Sequence, residues 1–574
     1  MAEYTAPLRD IRFVLEHVVD LTALSKLPAF AHADPETVAG VLAEAARFVE
    51  DVVAPTNRTG DLQGSVLQPD GTVRTPDGFK DAYRRMVEAG WAAVGFDPDH
   101  GGGGFPWVVA LALQELLTSA NMAFSMAPML TQGSVHLLES HGTEGQRERF
   151  LSKLVSGEWS GTMELTEPEA GSDVGALRAR AEPADDGTWR VTGTKIFISF
   201  GEHDLTDNVI HFVLARTPGA PPGTKGISLF LVPKVLEDGT RNTVSAVSLE
   251  HKMGIRASPT CVLSYEGAVG ELVGDEQGGM RAMGTMMYNA RLGVGLEGLA
   301  LAERAHQQAV AYALERRQGR SPGGDRTQSS LIVEHPDVRR MLLRSKASIE
   351  AMRALLYVVA EAVDLSRQSP DEAVRQAAQE RIELLTPVAK AWSTDLGMEV
   401  TSTAIQVHGG MGYIEETGVA QHFRDARIPP IYEGTNGIQA IDLVLRKVPA
   451  AGGDIVRAHV ADMAASLPEL DDHPEVQAGL ADAVSALNDA TEWLLSASPQ
   501  DALAGATPYL RMFGIVTGGW LLARSALADD PLAKEKAVTA RFWATTELPQ
   551  ARGLLGAVTA GAADLFALPA DALG

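Results

Sequence analysis

The chain has 574 residues, of which 45% are hydrophobic and 21% charged, and its formal net charge is −25. A chain of this length outgrows a single core, so we expect about three or four domains. Its composition is that of a folded protein and not of a disordered one. The acidic balance, with no long basic stretch, excludes a nucleic-acid-binding surface but permits local basic pockets for phosphorylated ligands.

The sequence also bears on location and redox chemistry. The first residues carry no basic segment followed by an apolar one, and no run of about 18 apolar residues occurs. We therefore expect no integral membrane segment and a cytoplasmic protein. The single cysteine, Cys261, excludes an intramolecular disulfide and a thiolate metal cluster, and its Pro-Thr-Cys-Val-Leu setting predicts a small apolar filler in a strand.

The first part of the chain is mainly helical by pattern. After an N-terminal arm at 1–35, residues 36–162 predict a helical domain, interrupted at about 55–80 by a Pro-, Gly- and Asp-rich stretch that predicts loop with some hairpin. Four successive glycines within Pro98–Pro106 predict a loop. No strand-to-helix glycine motif surrounds them, so they do not indicate a phosphate cradle.

A period of two begins near residue 163. Trp189–Ser199, Val209–Ala215 and Ile227–Val232 are each bounded by Gly, Pro or Asn, which predicts a β-domain at 163–283. These strands have no intervening helical patterns of 10–15 residues. A compact antiparallel sandwich or barrel is therefore favoured over a doubly wound sheet.

Helical periodicity returns after Gly279 and predicts a C-terminal bundle at 284–450. Two sets of residues each share a helix face: Leu292, Leu296 and Leu299, and then Leu396, Val400, Ala404 and Val407. The second helix should end at Gly409–Gly410, where glycine suits a left-handed cap.

A further helical domain is predicted at 451–574. Pro474 suits a first turn, and one face carries Val476, Leu480, Val484, Leu487, Thr491 and Leu494. No cluster of potential catalytic residues occurs in this part, so a role in packing or oligomer contact is expected. The predicted fold class is therefore mainly α with a central β-domain.

Glu433 is the first candidate for chemistry, in the segment Tyr432-Glu433-Gly434-Thr435-Asn436. A carboxyl between apolar groups and glycine can have its pKa raised by desolvation, as a general base near neutrality requires. The alternative is an exposed Glu that caps the following helix.

Other motifs favour the catalytic interpretation. The turn Leu165-Thr166-Glu167-Pro168-Glu169-Ala170-Gly171-Ser172-Asp173-Val174 offers backbone N–H groups and hydroxyls along one path, suited to polar cofactor edges or a phosphate. Alone it could be an elaborate turn at a strand entry. Three more segments follow in order: Gly193-Thr194-Lys195-Ile196-Phe197-Ile198-Ser199, Lys252-Met253-Gly254-Ile255-Arg256-Ala257-Ser258, and Gln406-Val407-His408-Gly409-Gly410-Met411-Gly412-Tyr413.

Together these five segments, in register over residues 160–447, resemble the acyl-CoA dehydrogenase family. They are similar to its T-E-P-x-A-G-S-D, G-x-K-x-[W/F]-I-[T/S], K-M-G-x-R-x-S, Q-x-x-G-G-x-G-[Y/F] and Y-E-G-T segments. The opening Tyr4–Phe13 and the C-terminal extension resemble the long subgroup that includes 3-methylthiopropionyl-CoA dehydrogenase and some mycobacterial fatty acyl-CoA dehydrogenases. The implied fold is an N-terminal helical domain, a β-sandwich or barrel, a helical bundle and an extra helical domain.

The resemblance implies FAD as the cofactor and assigns roles by matched position. Glu433 would be the base that takes the α-proton. The flavin would be held by Met163, Leu165, Thr166, Phe197, Ser199 and Thr435. A second set of residues would bind the pyrophosphate of the FAD held by a neighbouring subunit: Arg316, Gln406, Gly409 and Gly410. Acyl-CoA would contact Ser172, Tyr288, Arg291 and Gly434. A shared FAD site implies a homodimer or a dimer of dimers.

This sequence departs from the family pattern at two places. Tyr288 stands where many members have Asp, so contacts to the CoA adenine are expected to differ. Arg316–Gly324 lacks the phenylalanine of the family's E-R-x-x-F-G segment, which leaves a solvated cation at a helix end as the alternative for Arg316. His408 and His422 have no recognised metal-ligand spacing, so both are interpreted as structural and no metal site is expected.

The implied reaction is α,β-dehydrogenation of an acyl-CoA thioester to the trans-2-enoyl-CoA. The β-hydrogen would pass as hydride to flavin N5, with the carbonyl polarised by the backbone N–H of Glu433 and the FAD ribityl 2′-hydroxyl. Electrons would go to electron-transfer flavoprotein. An acyl-CoA oxidase that uses oxygen and a non-catalytic acyl-CoA-binding relative are the alternatives. Short-to-medium chains, including 3-methylthiopropionyl-CoA, and longer straight chains both stay open.

Overall fold

The computed structural model describes residues 4–324 and 327–574, which fall into two compact units. The bundle unit comprises the chain up to Gly40 together with Val294–Gly574, and the sheet unit comprises Val41–Gly293. Within the described part of the chain, no helix combines the length and apolar character needed to cross a membrane.

The N-terminal part is helical as expected. Its elements are α1 (Leu8–Phe13), α2 (Leu21–Leu24), α3 (Pro35–Phe48), α4 (Pro55–Gln63), β1 (Val66–Leu67), β2 (Val73–Arg74), α5 (Phe79–Glu88), α6 (Trp107–Ala120), α7 (Met122–His141), α8 (Glu144–Gln146) and α9 (Ser152–Ser156). The loop predicted from residue 55 is wrong up to Gln63. Pro55 there occupies the first turn of α4, where its missing N–H costs no hydrogen bond. The β1–β2 hairpin and the glycine-rich loop before α6 are confirmed.

The central strands close into a ring. They are β3 (Ser160–Glu164), β4 (Arg180–Pro183), β5 (Trp189–Ser199), β6 (Val209–Arg216), β7 (Ile227–Pro233), β8 (Val244–Leu249) and β9 (Thr260–Leu272). The sheet runs β3-β6-β4-β5-β9-β7, β7 also pairs with β6, and β8 pairs with β9. The predicted barrel is confirmed, but β6 lies parallel to β3 and β4, so the expectation of a wholly antiparallel sheet is wrong.

Strand β6 is buried on both faces. Val213 and Ala215 point into one apolar core within the barrel, whereas Phe212 and Leu214 join a second core with residues of α7 and α9. This explains its uninterrupted apolar run, since a strand covered on both sides has no polar face. Cys261 lies in the barrel core, as predicted.

The second half of the chain is helical. Its helices are α10 (Gly279–Glu315), α11 (Pro336–Gln368), α12 (Glu372–His408), α13 (Val419–Ala426), α14 (Asn436–Asp442), α15 (Asp454–Ala465), α16 (Pro474–Ser496), α17 (Pro499–Ala504), α18 (Ala506–Ala526), α19 (Ala533–Thr546) and α20 (Pro549–Thr559). The predicted apolar faces of α10, α12 and α16 are buried. Helix α12 ends before Gly409 as expected, but that residue has φ 59° and ψ −142°, so the predicted left-handed cap is wrong.

The C-terminal helices are part of the bundle unit. A Cβ on Gly514 of α18 would lie 2.3 Å from Cγ of Trp392 on α12, so this crossing requires glycine. The Trp392 ring meets Trp543 of α19 edge to face at 6.1 Å. Buried Lys536 of α19 forms ion pairs with Asp10 and Glu350, which ties the N-terminal arm to the same helices. Packing is therefore one role of this extension.

Candidate active site

Glu433 occupies a strained turn between α13 and α14. Its φ is 57°, a region that L-residues other than Asn and Asp rarely adopt, and Gly434 follows with φ 82°. Such backbone strain is typical of functional sites. The side chain of Thr435, not that of Glu433, caps α14 by accepting from the Ile438 N–H at 3.2 Å. The alternative that Glu433 is the helix cap is therefore wrong.

Buried polar side chains of α12 and α14 donate hydrogen bonds to the backbone of this turn. Lys390 of α12 donates from Nζ to the Gly434 carbonyl oxygen and to Asn436 Oδ1, each at 2.9 Å. Gln439 Nε2 donates to the Gly434 carbonyl oxygen at 3.1 Å. Lys390 and Gln439 are both fully buried, so the donors are fixed by packing. The backbone on the C-terminal side of Glu433 is thereby held rigidly.

A second carboxyl group lies behind Glu433. Glu297 of α10 is fully buried, and the hydroxyl of Tyr432 donates to its Oε2. Burial raises the pKa of Glu297 to about 8, and the negative charge of Glu433 acts in the same direction. At neutral pH Glu297 is therefore mainly uncharged.

In the sheet unit, the turn after β3 is braced by a buried ion pair. Lys195 of β5 donates from Nζ to the Leu165 carbonyl oxygen at 3.1 Å and to Glu167 Oε1 at 2.8 Å. Glu167 in turn accepts from the N–H groups of Arg178 and Ala179. Burial lowers the pKa of Lys195, and the charge of Glu167 opposes that shift. These contacts fix the backbone on both sides of Thr166.

A bulge in β5 exposes an aromatic ring beside that turn. The register of β5 on β9 shifts between Lys195 and Ile198, Phe197 has φ 59°, and 59% of Phe197 is exposed. The Ile196 N–H donates to the Thr166 carbonyl oxygen at 3.0 Å, which places the bulge next to the turn. The sheet unit thus brings together five of the predicted flavin residues: Met163, Leu165, Thr166, Phe197 and Ser199.

The buried end of β3 carries a polar network. Glu164 Oε1 lies 2.6 Å from His211 Nδ1 and accepts from Thr162 Oγ1 at 2.8 Å, and the Tyr265 hydroxyl donates to Glu164 Oε2 at 2.5 Å. Burial raises the pKa of Tyr265, and the adjacent charge of Glu164 adds to that shift. Every member is almost fully buried, so the network fixes the strand that leads into the turn.

Arg316 and the predicted glycine pair lie at one end of the bundle unit. Tyr312 of α10 stacks on His408 of α12 with ring centroids 4.4 Å apart, which places the ends of these helices side by side. All four predicted residues at this edge are exposed, namely Arg316, Gln406, Gly409 and Gly410. A Cβ on either glycine would meet no atom within 4 Å, so the backbone there is open to a ligand.

The remaining predicted residues lie in different settings. Ser172 is exposed in the sheet unit, while Tyr288 and Arg291, one turn apart on α10, are half-buried. His422 Nε2 lies 3.1 Å from Gln308 Oε1, and His408 Nδ1 lies 2.7 Å from the Ala404 carbonyl oxygen. Each histidine thus has a partner within the helical packing. Among the residues that the structure describes, no group of three or more His, Cys, Asp or Glu side chains could hold a metal ion.

These features fit FAD. The exposed Phe197 ring offers an apolar face for an aromatic ring system, next to a turn of fixed backbone polar groups. At the other site an arginine, able to bind phosphate oxygens with two donors, stands beside glycines with open space.

The sheet unit also contains an apolar cavity of about 40 Å³ among its N-terminal helices. Aromatic and sulfur-containing side chains line much of it, including Phe48, Met86, Trp91, Trp107 and Met129. Gln114 of α6 and Gln132 of α7 add amide groups. The cavity therefore suits a short apolar group that can also contact polarisable sulfur.

Several site residues were missed by the sequence analysis. Glu297 lies within Leu292–Ala302 and Lys390 within Val388–Trp392, and each is the single charged residue of an apolar run. A lone charge at helical core positions was the available signal, because such groups are almost never buried without a function or partner. Lys195 lay inside a recognised motif, but its pairing with Glu167 was not foreseen.

Comparison with known proteins places the whole chain in one family. The acyl-CoA dehydrogenase N-terminal, middle and C-terminal domain models match residues 36–158, 162–268 and 277–448, and the model described as acetyl-CoA dehydrogenase C-terminal like matches 455–569. The chain belongs to the acyl-CoA dehydrogenase family, whose members are FAD-dependent oxidoreductases.

Individual relatives agree with this assignment. The chain is 46% identical to 3-methylmercaptopropionyl-CoA dehydrogenase of Ruegeria pomeroyi, covering 92% of this chain and 91% of the relative. It is 35% identical to a broad-specificity linear acyl-CoA dehydrogenase of Mycobacterium tuberculosis, covering 92% and 90%. Among solved structures, Caenorhabditis elegans ACDH-11 in complex with C11-CoA shares the fold with a TM-score of 0.79 at 21% identity, covering 95% of this chain and 91% of that one.

Proposed function

We propose that this protein converts an acyl-CoA thioester to its trans-2-enoyl-CoA, with Glu433 as the base that removes the α-proton. The main support is the position of Glu433 in a strained turn that Lys390, Gln439 and Asn436 hold in place. A carboxyl group on a fixed turn, outside the N-cap position of the next helix, is suited to proton abstraction. The backbone N–H of Glu433 would polarise the thioester carbonyl and so acidify the α-carbon.

FAD would be held by the chain at two places. Phe197 and Ser199 would contact the ring system together with Met163, Leu165 and Thr166, and Thr435 would bond it from the base's own turn. Bound FAD supplies the acceptor for the β-hydrogen, which leaves as hydride. Arg316, Gln406, Gly409 and Gly410 would bind the pyrophosphate of FAD in a second copy of the chain, which makes the protein a homodimer or a dimer of dimers.

The CoA part of the substrate would contact Ser172, Tyr288, Arg291 and Gly434. We assign the functional division as an arm (1–35), a helical domain (36–162), a β-domain (163–283), the bundle with the base (284–450) and an additional helical domain (451–574). The reduced flavin would pass its electrons to electron-transfer flavoprotein.

The acyl tail would enter the apolar cavity of the sheet unit. A short acyl group is favoured, because the relative from Ruegeria pomeroyi that is 46% identical is named for the short substrate 3-methylmercaptopropionyl-CoA. Met86, Met129 and the neighbouring aromatic rings would also accept a thioether, the group named in the Ruegeria relative's substrate.

Anaerobic titration of the purified yellow protein with butyryl-CoA tests the reaction. We expect the flavin to bleach in the parental protein and in Glu416→Gln, an exposed carboxylate control, and to stay oxidised in Glu433→Gln with FAD retained. Bleaching of Glu433→Gln at the parental rate would contradict the assignment of the base.

The same preparation separates the alternatives. Rapid reoxidation by oxygen with hydrogen peroxide release would identify an oxidase, whereas absence of bound flavin would identify a non-catalytic relative. Slow reaction with oxygen and fast reaction with electron-transfer flavoprotein would support a dehydrogenase.

A matched pair of substrates tests whether the cavity binds a short acyl tail and accepts a thioether. Valeryl-CoA and 3-methylthiopropionyl-CoA differ only by a methylene and a sulfur at one position. We expect both to bleach the flavin faster than decanoyl-CoA, with the thioether at least equal to valeryl-CoA. Fastest bleaching by decanoyl-CoA would contradict a short-chain pocket.

A further inference from the structure

Glu297 lies where α10 and α12 are in close contact. A Cβ on Gly295 would lie 2.7 Å from the Ala389 carbonyl oxygen, and one on Gly298 would lie 2.4 Å from that of Ser393. The helices can approach this closely only with glycine at both positions, and Glu297, the residue before Gly298, is fully buried. A carboxyl group therefore lies within a tight helix–helix contact, where an apolar residue would be expected.

The carboxyl group is incompletely paired in that contact. Tyr432 donates to Oε2, while Oε1 is buried and has no hydrogen-bond partner among the described residues. Within residues 4–324 and 327–574, no cation forms an ion pair with Glu297, although such pairing is usual for buried carboxylates. A neutral carboxylic acid satisfies these surroundings better than a carboxylate does.

The groups that act on Glu297 lie in the turn that contains Tyr432 and Glu433 and on α12. Burial and the charge of Glu433 raise its pKa to about 8, and the hydrogen bond from Tyr432 and the charge of Lys390 oppose that rise. Asp425 of α13 acts on Tyr432 in turn, since its charge adds to the rise in the pKa of that hydroxyl. Tyr432 and Glu433 belong to the turn itself, and Lys390 and Asp425 act on it from α12 and α13.

We propose that Glu297 is a positioning residue for Glu433: it anchors Tyr432, and through it the turn, and its charge state changes the proton affinity of Glu433. This rests on the proposed role of Glu433 as base. Because Tyr432 immediately precedes Glu433, fixing its ring restricts the strained backbone next to it. Lys390 and Gln439 restrict the other side.

The effect of the Glu297 charge on the proton affinity of Glu433 follows because two interacting groups shift each other's protonation equally. If a charged Glu433 favours the protonated form of Glu297, a charged Glu297 favours the protonated form of Glu433 to the same extent. Proton abstraction moves negative charge from Glu433 to the thioester, away from Glu297. Ionisation of Glu297 therefore makes that transfer more favourable, and the rate should rise as Glu297 loses its proton.

The experiment measures the limiting rate of anaerobic flavin bleaching between pH 6 and 9.5 in the FAD-loaded protein. The parental protein should show a rise centred near pH 8. Glu297→Gln keeps an acceptor for Tyr432 and cannot ionise, so it should match the parental rate within about twofold below pH 7 and lose the rise above it. A purely structural Glu297 would leave the two profiles parallel, which would overturn the proposal.

Tyr432→Phe provides an independent variant should Glu297→Gln lose FAD. It removes the hydrogen bond that lowers the pKa of Glu297, so the rise should move to higher pH. An unmoved rise would overturn the proposal, as would a parental profile without any rise. Failure of the base assignment looks different, since Glu433→Gln would then bleach at the parental rate whatever the profile of Glu297→Gln.

Discussion

Lys390 and Gly434 are joined by a hydrogen bond of 2.9 Å from the buried ammonium group to the carbonyl oxygen of the residue after the proposed base. The same ammonium group donates to Asn436, which also donates to Thr394 Oγ1 at 2.9 Å and Asp395 Oδ1 at 2.8 Å of α12. The turn is therefore tied to one face of a long helix. Its geometry therefore depends on a fully buried residue of α12.

We expect Lys390→Met to keep FAD but to lower the limiting bleaching rate by about 10- to 100-fold, because small misplacements of a reacting group cost that much. Loss of charged hydrogen bonds should also lower the free energy of unfolding by about 2–3 kcal/mol. Anaerobic stopped-flow and chemical unfolding measure the two effects. Lys534→Met, at an exposed site on α19, is the control. A parental bleaching rate in Lys390→Met would show that the turn does not need this donor.

From the buried ion pair of Lys195 and Glu167 we predict that both FAD binding and stability depend on Lys195. Lys195→Met leaves the Glu167 carboxylate buried without its cation, which typically costs about 3–5 kcal/mol. We expect FAD content and the unfolding midpoint to fall, and the double variant with Glu167→Gln to recover part of the loss. Exposed Lys225→Met should change neither quantity. Full FAD content in Lys195→Met would refute the bracing role of the pair.

Sequence periodicity predicted the helices and strands that have one buried face and one exposed face. The bounds of β5, the buried face of α16 and the end of α12 agree with the expectations, because flanking glycines and polar residues mark the ends and a helical repeat marks the buried face of α16. The parallel pairing of β3 with β6 could not be predicted, because alternation within a strand does not indicate its neighbour. Helix α4 was missed because Pro, Gly and Asp usually mark loops, and only its tertiary packing decides otherwise.

The candidate site shows the same division. The motif residues around Thr166, Phe197 and Glu433 were found from short sequence patterns. Glu297 and Lys390 were not, since they reach the turn from helices that lie 136 and 43 residues before Glu433 in the chain. Contacts over such separations depend on how helices pack, and no local pattern records that.

We predict that a substitution at Gly293 changes the preference for acyl chain length. A Cβ there would lie 3.0 Å from both Gln114 Nε2 and Met129 Sδ, and these side chains line the apolar cavity. Gly293→Ala should push them into the cavity and raise the ratio of butyryl-CoA to hexanoyl-CoA bleaching rates by about tenfold, the usual effect of one or two methylenes. Gly284→Ala on the same helix meets no atom within 4 Å and should leave the ratio unchanged. Equal ratios in both variants would argue against this cavity as the tail site.

Glu297 predicts how stability depends on pH. Its pKa is about 8 in the folded protein against an ordinary value of 4.5, so between these pH values the folded chain holds a proton that the unfolded chain has released. The contribution of Glu297 to stability is therefore complete below pH 4.5 and is lost as the pH rises to 8, by about 1.4 kcal/mol per pH unit.

Glu297→Gln has no such dependence, so its stability relative to the parental protein should increase steadily from pH 5 to pH 8. Urea unfolding midpoints at four pH values would measure this, with Glu416→Gln as a control whose difference should stay constant. Parallel midpoints for Glu297→Gln and the parental protein would mean that Glu297 is ionised in the folded protein throughout this range.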